Sequence, residues 1–452
     1  MTAAAAPSAE HHARPRYEDA EQFCRRVRAS AYFAAGRPVA VARAPGRLDV
    51  LGGIADYSGG LVLELPLAAA TLAAAQSDDD HLVVAVSGDR RLAVDAAELA
   101  TAPLDKLAER FSDRDVWGAY VLGPIALLLR EGSVDVRGMR LFVSSVVPEG
   151  KGVGSSAAVE VAVLCAAAAC LGIDSTPRRL ALLGQRAEQV FAAAPCGPMD
   201  QLAVMHGEAD CLLPVLCRPA EVLRALRLPP PLTVWGIDSG LRHAVSGDAY
   251  RRVRCAAFMG KALLEADAAY LTELDRDRVT VEALPEEILG IDFLQLRSGI
   301  DDPVSTIEPA ATYPVRAATL FPIEEHARAL ELVSLVETPP TDEAMERFGE
   351  LLYESHDGYS LCGLGVTRTD QIVDAVREAG RRKGLFGARV SGGGSGGTVV
   401  VLGRRDAEPH VRAIAENLGA GLVGGSSAGA DSFGAMFVPG GSGAPPVVRA
   451  RA

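Results

Sequence analysis

Residues 148–158 read PEGKGVGSSAA, and this stretch does most to decide the fold. An apolar run that favours a β-strand precedes it, and an alanine-rich run that favours a helix follows it. Its alternating glycines are Gly150, Gly152 and Gly154. Glycines let backbone amides turn inward, and a helix N-terminus adds partial positive charge, so the stretch predicts a phosphate-binding loop. Lys151 precedes the serines, which excludes a Walker A loop. The alternative, in which Ser155 is only a helix N-cap, does not require three glycines.

A second glycine-marked segment lies nearer the N-terminus. Residues 44–60 read APGRLDVLGGIADYSGG and stand between two predicted strands. Arg47, Asp49 and Asp56 lie among apolar residues, where an unpaired charge would be costly. The segment therefore predicts a loop that carries part of a functional site.

A third segment, residues 391–398, reads SGGGSGGT. It contains both GxGxxG and GxSxG, and residues 425–429 contain a second GxSxG. A dinucleotide fingerprint or a nucleophile elbow requires a following helix, whereas residues 398–402 are typical of a strand. A tight loop close to a bound ligand fits better, and a serine hydrolase built on Ser395 or Ser427 remains a distant alternative.

Two carboxylates lie between the second and third segments. Glu188 is on a predicted helix, and Asp200 follows a proline and glycine turn in residues 195–201, PCGPMDQ. Two such carboxylates suit phosphoryl transfer, with one on Mg²⁺ and the other near the acceptor hydroxyl. Alone, the pair is weak evidence, because most such carboxylates are solvated helix charges.

The composition limits the class of protein. The chain has 452 residues, 49% hydrophobic and 23% charged, which is typical of a soluble globular protein with two domains. Its 58 acidic and 45 basic residues give a formal net charge of −13, so we expect neither nucleic acid nor a membrane surface as a partner. The longest apolar runs are too short to cross a bilayer.

The cysteines and the N-terminus predict a cytoplasmic protein. The chain has 8 cysteines, with no CxxC pair and no zinc-binding spacing, which favours reduced and mostly buried thiols. The first residues, MTAAAAPSAEHHARPRY, lack the continuous apolar stretch of a signal peptide.

The three segments, in this order and spacing, resemble the three motifs of the galactokinase, homoserine kinase, mevalonate kinase and phosphomevalonate kinase (GHMP) superfamily. The resemblance runs from about residue 39 to residue 437. Its sugar-kinase branch is indicated by residues 44–47, 56–57, 117–120 and 195–201. Within that branch, the chain is similar to the kinase domains of plant L-arabinokinases in residues 46–59, 148–153, 235–243 and 353–365.

Strands in quick succession followed by helices predict an α+β fold. The resemblance implies a two-domain GHMP kinase fold with the active site in the cleft between the domains. The predicted organisation is a flexible leader (1–37), an N-terminal kinase domain with the ATP-binding loop (38–232), a C-terminal kinase domain (233–438) and a disordered tail (439–452).

The resemblance also implies an activity, the ATP- and Mg²⁺-dependent phosphorylation of a monosaccharide at its anomeric C1 hydroxyl. Asp200 matches the catalytic base, and Arg47 matches the neighbouring cation that keeps it ionised. Ser156 and Glu188 match the Mg²⁺ ligands. The positions implied for the nucleotide are Trp117, Tyr120, Gly150, Lys151, Gly152, Gly154, Ser155 and Ser156. Those implied for the sugar are Asp49, Gly53, Ile54, Asp56, Gly197, Asp200, Tyr250 and Gly393. The alternative for Trp117 and Tyr120 is a helix that buries aromatic side chains in the core.

One departure from the galactokinases bears on the substrate. They carry Glu-His where this chain has Gly53-Ile54, and in them the pair belongs to the wall near C6 of galactose. L-Arabinose has the hydroxyl pattern of galactose without that carbon, so a polar pair there would be left unpaired. The departure favours L-arabinose as the acceptor, giving L-arabinose 1-phosphate. The alternatives are a galactokinase, a uronic-acid 1-kinase, or a catalytically silent sensor that binds sugar and ATP. The oligomeric state is left open.

Overall fold

Two large β-sheets covered by helices, and a separate two-stranded sheet, organise the described part of the chain. The computed structural model describes residues 20–113, 116–131, 137–241, 247–280, 283–425 and 436–440. Within them, helices and sheets form separate layers, which confirms the predicted α+β fold.

The first sheet contains the long strands near the N-terminus. Its first eight strands are β1 (Val39–Leu51), β2 (Leu61–Asp78), β3 (Leu82–Ser87), β4 (Arg90–Asp95), β5 (Gly138–Ser145), β6 (Cys211–Leu216), β7 (Glu221–Val222) and β8 (Leu226–Arg227). The strand order is β1-β2-β5-β3-β4, and β6 pairs with the first residues of β2. The pairing of β3 with β5 is parallel, and β2 is antiparallel to β1, β5 and β6. The central strand β2 is buried along nearly all of its length.

The first half of the chain also supplies the helices that cover this sheet. They are α1 (Ala20–Ala29), α2 (Ala96–Thr101), α3 (Leu104–Asp113), α4 (Val116–Glu131), α5 (Ser155–Leu171), α6 (Pro177–Phe191) and α7 (Met199–His206). The alanine-rich α5 packs against β1 and β2, since small side chains allow a helix to approach a sheet closely. The start of α5 is thereby fixed beside β1.

The second sheet is built later in the chain. The remaining strands are β9 (Leu232–Asp238), β10 (Ile288–Leu289), β11 (Thr312–Tyr313), β12 (Leu385–Val390), β13 (Thr398–Arg404), β14 (Gly421–Gly425) and β15 (Met436–Gly440). The remaining helices are α8 (Asp248–Leu263), α9 (Gly290–Leu296), α10 (Val315–Glu337), α11 (Asp342–Leu361), α12 (Thr367–Ala379) and α13 (Glu408–Asn417). The order of the second sheet is β12-β13-β9-β14, and α11 and α12 pack against β12.

Both predicted terminal segments require correction where the structure describes them. The leader 1–37 was predicted to be flexible, but residues 20–29 form α1, whose buried Phe23 stacks on Phe142 with ring centroids 5.7 Å apart. The tail 439–452 was predicted to be disordered, but its first two residues belong to β15. This strand pairs with β1 in the first sheet, although residues up to 438 were assigned to the C-terminal domain. Backbone pairing along the edge of β1 explains the difference, since an edge strand offers unpaired amide and carbonyl groups. Residues 1–19 and 441–452 lie outside the described residues.

The segment 44–60 is also more regular than predicted. Strand β1 continues through Leu51, and its pairing with β2 shifts register near Pro45 and again near Asp49. Such bulges absorb a proline and re-aim the side chains that follow. Only Gly53–Ser58 forms a separate element, a 3₁₀ turn.

Candidate active site

The three glycine-marked segments meet around Arg47. The Arg47 amide donates to the Val153 carbonyl at 2.9 Å, and its Nη1 donates to the Gly152 carbonyl at 2.5 Å. A Cβ atom placed on Gly392 would lie 3.1 Å from the same Gly152 carbonyl oxygen and 3.5 Å from Arg47 Nη2. Segments far apart in sequence are therefore in contact at this residue.

The predicted phosphate loop has the backbone that its glycines allow. Gly150, Gly152 and Gly154 all have positive φ, at 69°, 66° and 69°. Gly154 is the N-cap of α5, and Ser155 is the first residue of the helix. The alternative in which Ser155 acts as the N-cap is therefore wrong. Left-handed glycines before a helix N-terminus can direct backbone amides at an anion, so binding of phosphate by this loop stays a prediction.

Lys151, which we expected to contact the nucleotide, is held by the second sheet. Its Nζ lies 2.9 Å from Asp238 Oδ1 at the end of β9. Its carbonyl accepts a hydrogen bond of 2.8 Å from Thr398 Oγ1 at the start of β13. These contacts tie the phosphate loop to the second sheet, and contact between Lys151 and a phosphate stays a prediction.

Arg47 itself is buried and lies between two carboxyl groups. Its Nε and Nη2 donate to Asp200 Oδ1 at 3.0 and 2.6 Å, and Nε lies 3.3 Å from Glu64 Oε2. Burial lowers the pKa of Arg47, but the nearby Asp200 and Glu64 raise this pKa by more than burial lowers it. The guanidinium therefore stays charged. Burial raises the pKa of Glu64 well above its ordinary value, which favours the neutral acid. Arg47 therefore acts mainly as the counter-charge of Asp200.

A second carboxylate group lies beside the start of α5. Gln201 Nε2 donates to Glu160 Oε2 at 2.9 Å and to Glu188 Oε2 at 2.7 Å. Burial, followed by repulsion from Asp200, raises the pKa of Glu188 to about 7, although a hydrogen bond from Ser156 opposes the shift. Burial also raises the pKa of Glu160 well above its ordinary value. Burial and mutual repulsion therefore favour the protonated forms of these two glutamates.

Asp56 and Tyr250 lie on the other side of Asp200. A Cβ atom on Gly197 would lie 2.1 Å from Asp56 Oδ2, so only glycine allows this approach. Tyr250 Oη donates to the Pro195 carbonyl at 3.4 Å. The turn before α7 thus contacts Asp56 and Tyr250 through Gly197 and Pro195, and Asp200 follows in the first turn of the helix.

Asp56 is buried, and its pKa lies above the ordinary value of an aspartate. Burial, followed by repulsion from Asp200, raises the pKa of Asp56 to about 7, while Arg254 and the Tyr57 amide oppose the shift. Between its ordinary pKa and about 7, the folded protein binds more protons than the unfolded chain. This site therefore makes the free energy of unfolding fall as pH rises through that window.

Replacing this carboxyl tests the shift. Asp56→Asn cannot ionise, so we expect its free energy of unfolding to exceed the native value at pH 8 by up to about 4 kcal/mol, with little difference near pH 4. Urea unfolding at both pH values measures this difference. Asp105→Asn, which changes an exposed aspartate, is the control and should follow the native protein. An equal offset of Asp56→Asn at both pH values would contradict the assignment.

Asp49 is completely buried, and its carboxylate is engaged within the protein. Oδ1 accepts from the Gly53 amide at 3.1 Å, and Oδ2 accepts from the Gly392 amide at 2.9 Å. Arg389 Nη1 lies 3.0 Å from Oδ2 and also donates to the Asp49 carbonyl. The prediction that Asp49 contacts the sugar is therefore not supported by its geometry. Asp49 instead joins β1 to the glycine loop that contains Gly393.

The predicted adenine positions lie on α4. Trp117 is half-buried and packs against the core of the first sheet. Tyr120 is also half-buried; burial first, then Glu188 and Glu160, raise its pKa well above the ordinary value. Tyr120 is therefore close to the carboxylate group, while packing of these aromatics in the core remains compatible with the structure.

The third segment is the turn of a hairpin. Strands β12 and β13 flank it, and the Ser391 amide donates to the Thr398 carbonyl at 2.8 Å. The predicted strand at 398–402 is confirmed, and no helix follows Ser395, so Ser395 is not on a nucleophile elbow. Ser427 lies outside the described residues.

Several site residues were missed by sequence analysis. Glu64 had a usable signal, since it is a single charge within the apolar strand LVLELPL, residues 61–67. Asp238 lies inside the stretch 235–243 that resembles the L-arabinokinases, and Arg389 stands near the end of β12 just before the third glycine segment; both are weaker signals. Tyr359 lies inside a helical pattern that does not distinguish it from a core residue.

Three family models match the chain. They are the GHMP kinases N terminal domain over residues 119–208, the GHMP kinases C terminal model over residues 333–421, and the galactokinase galactose-binding signature over residues 30–77. The matches span both sheets and the segments that meet at Arg47.

Named relatives agree with these models. The chain is 37% identical over 441 residues to L-arabinokinase from Arabidopsis thaliana, which covers 80% of this chain and 42% of that protein. The chain thus spans less than half of that relative. It is 30% identical over 372 residues to galactokinase from Roseiflexus sp. (strain RS-1), which covers 81% of this chain and 84% of that protein. The chain therefore belongs to the GHMP kinase family. Within that family it is similar to two sugar kinases, L-arabinokinase and galactokinase.

Solved structures support the fold. Galactokinase from Lactococcus lactis, complexed with galactose, superposes with a TM-score of 0.68 at 20% identity, over 90% of this chain and 94% of that chain. Phosphomevalonate kinase from Streptococcus pneumoniae, in complex with phosphomevalonate and AMPPNP, gives a TM-score of 0.55 at 13% identity, over 85% of this chain and 98% of that chain. At these identities the likeness establishes the fold alone.

Two further findings concern the described residues. Their helices include none with the length and apolar character that a bilayer span requires. No disulfide joins the described cysteines, and most of their side chains are buried.

Proposed function

We propose that this protein transfers the γ-phosphoryl group of ATP to the anomeric C1 hydroxyl of a monosaccharide, with L-arabinose as acceptor and L-arabinose 1-phosphate as product. The observation that carries the proposal is the Arg47–Asp200 pair, which lies between the glycine nest and Asp56. A glycine loop suited to an anion, the arginine-paired carboxyl group of Asp200 and a second carboxyl group, that of Asp56, support the proposal. The higher identity to an L-arabinokinase than to a galactokinase supports the choice of sugar.

In the proposed reaction, Asp200 is the general base. The proton of the C1 hydroxyl passes to its carboxylate, the sugar oxygen forms a bond to the γ-phosphorus, and the bond from that phosphorus to the β,γ-bridging oxygen breaks. ADP leaves with the electron pair of the broken bond. Arg47 fixes the Asp200 carboxylate through two N–H donors and offsets negative charge near the transferred group. No phosphoenzyme is required.

The nucleotide would occupy the glycine loop. Gly150, Gly152 and Gly154 shape the loop so that backbone amides and the N-terminus of α5 contribute partial positive charge for phosphates. Trp117 and Tyr120 on α4 would pack against the adenine. ATP as phosphoryl donor also agrees with the family.

Magnesium fits as a cofactor shared with the nucleotide. Among the described residues, no group of three His, Cys, Asp or Glu side chains could hold a metal ion. Mg²⁺ is usually held by one or two carboxylates together with substrate phosphates. Ser156 and Glu188 offer hard oxygens beside the glycine loop. Burial first and Asp200 second raise the pKa of Glu188, and a divalent cation would favour its ionised form. When bound, the ion would neutralise charge on the phosphates.

Variants of these two ligands test the metal assignment. Glu188→Gln or Ser156→Ala should raise the Mg²⁺ concentration needed for half-maximal ATP binding by roughly 10-fold or more, because each removes an oxygen ligand or its charge. Calorimetric ATP titrations at several Mg²⁺ concentrations provide the measurement. Glu109→Gln changes an exposed glutamate and should match the native protein. Native Mg²⁺ dependence in both variants would remove these residues from the metal site.

The sugar would lie between Asp200 and the segments around Asp56. Asp56, Gly197 and Tyr250 are adjacent to Asp200, and Gly53, Ile54 and Gly393 stand on the segments that Asp49 holds together. In this arrangement the first three residues face the sugar hydroxyls. Gly53 and Ile54 close the end where a hexose carries C6.

A coupled ADP-release assay with L-arabinose, D-galactose, D-glucuronate and D-galacturonate tests the proposal. We expect the highest kcat/KM for L-arabinose, with galactose lower by roughly 10- to 200-fold, because its extra hydroxyl would be buried without a partner. If the protein prefers galactose or a uronate, that sugar replaces L-arabinose as the proposed acceptor. ATP binding without turnover of any of the four sugars would favour the silent sensor.

A further inference from the structure

Tyr359 occupies the place that a side chain at position 53 would take. A Cβ atom built on Gly53 would lie 1.7 Å from Tyr359 Oη and 2.9 Å from Arg389 Nη2. The φ of Gly53 is +42°, in the left-handed region that favours glycine. The Tyr359 side chain can occupy this position only because residue 53 has no side chain.

The Tyr359 hydroxyl is bonded to both segments that border this position. It donates to the Gly392 carbonyl at 2.6 Å and accepts from the Ile54 amide at 3.1 Å. With both bonds made, the oxygen is fixed between the 3₁₀ turn and the glycine hairpin. A fixed hydroxyl that already has its partners offers little to a further polar group.

The ring of Tyr359 is equally constrained. It packs edge-on against Phe321 with centroids 5.2 Å apart, and Arg389 lies over it at 5.1 Å. A Cβ atom on Gly394 would lie 2.9 Å from Tyr359 Cδ1. Glycines at 53 and 394 thus make room for one completely buried tyrosine.

We propose that Tyr359 determines the specificity of the sugar pocket, by filling the space in which the exocyclic C6 group of a hexose would lie. The inference rests on the proposed function and deepens it. Gly53 alone would leave the pocket wider than a pentose needs, because it removes a side chain from the wall. Tyr359 fills that space from the opposite side, so the pocket accepts a pentose and excludes the larger sugar.

The fit also limits which substitutions can convert the pocket. Gly53→Glu alone would drive a side chain into Tyr359, whereas Gly53→Glu with Tyr359→Ala frees the space. The introduced carboxylate would then be near Arg389, whose Nη2 and Nε are buried without a hydrogen-bond partner among the described residues. The two substitutions should therefore depend on each other.

The experiment compares kcat/KM for L-arabinose and D-galactose in the native protein, Tyr359→Phe and Tyr359→Ala. We expect the arabinose-to-galactose ratio to fall by roughly 10-fold or more in Tyr359→Ala, and by less in Tyr359→Phe, which keeps the ring. ATP affinity should remain native in both. Tyr353→Phe, on the same helix α11 but under Arg377, is the matched control and should leave the ratio unchanged.

The outcomes separate the two proposals. A native protein that prefers arabinose, with an unchanged ratio in both Tyr359 variants, overturns the role of Tyr359 and leaves the proposed function standing. A native protein that does not prefer arabinose overturns both. If Tyr359→Ala does not fold, Tyr359→Phe decides, because it removes only the hydroxyl: a lowered ratio supports the proposal and a native ratio overturns it.

Discussion

Asp200→Asn is expected to lower kcat by roughly 10²- to 10⁴-fold, the range that general-base catalysis contributes. Asparagine keeps the size of the side chain and an oxygen that can accept from Arg47, so the first turn of α7 should stay in place. ATP affinity should then remain close to native. Steady-state kinetics with L-arabinose and a direct ATP-binding titration measure the two quantities separately.

Asp248→Asn is the matched control for this variant. Asp248 also lies in the first turn of a helix, α8, but it is exposed. It should retain native kcat. Near-native turnover by Asp200→Asn would show that another group accepts the proton, whereas joint loss of turnover and ATP binding would indicate a structural role.

Arg389→Met is expected to reduce the free energy of unfolding by about 3–5 kcal/mol, because it leaves the buried Asp49 carboxylate without its cation. Both members of this pair are 0% exposed, and Nη1 lies 3.0 Å from Asp49 Oδ2. Water cannot replace the lost partner at such a position. Urea unfolding at neutral pH measures the change.

Two companion variants define the cause of that loss. Arg412→Met breaks an exposed pair with Glu408 on α13 and should cost less than about 1 kcal/mol. Arg389→Met combined with Asp49→Leu removes both charges and should recover part of the stability. If the double variant is less stable than Arg389→Met alone, unpaired charge is not the main cost.

The glycine turn and the start of α5 could be predicted because they depend on neighbouring residues. Alternating glycines, a preceding apolar run and a following alanine-rich run are contiguous in the sequence. The carboxylates Glu188 and Asp200 were found for a similar reason, since each stands beside a recognisable helix or turn. Their shared hydrogen-bond donor, Gln201, required the structure.

Contacts between distant segments were not predictable from local pattern. The contact of Tyr359 with Gly53 depends on how α11 packs against the 3₁₀ turn, and an apolar helix pattern does not specify that partner. Helix α1 is short, so its stability comes from packing of Phe23 on Phe142 more than from its own sequence. The pairing of β15 with β1 joins opposite ends of the chain, where no local signal exists.

The return of β15 to β1 makes the second sheet an insertion within the first. The chain leaves the first sheet after β8 and rejoins it only at β15, so the two sheets are connected twice. A protease that cuts between β8 and β9 would divide the chain into two pieces, but the piece that carries the second sheet would still hold β15, which pairs with β1. A continuous fragment that contains β1 to β8 would lack β15. To express the complete first sheet alone, β15 would have to be joined to the rest of the sheet by a new linker.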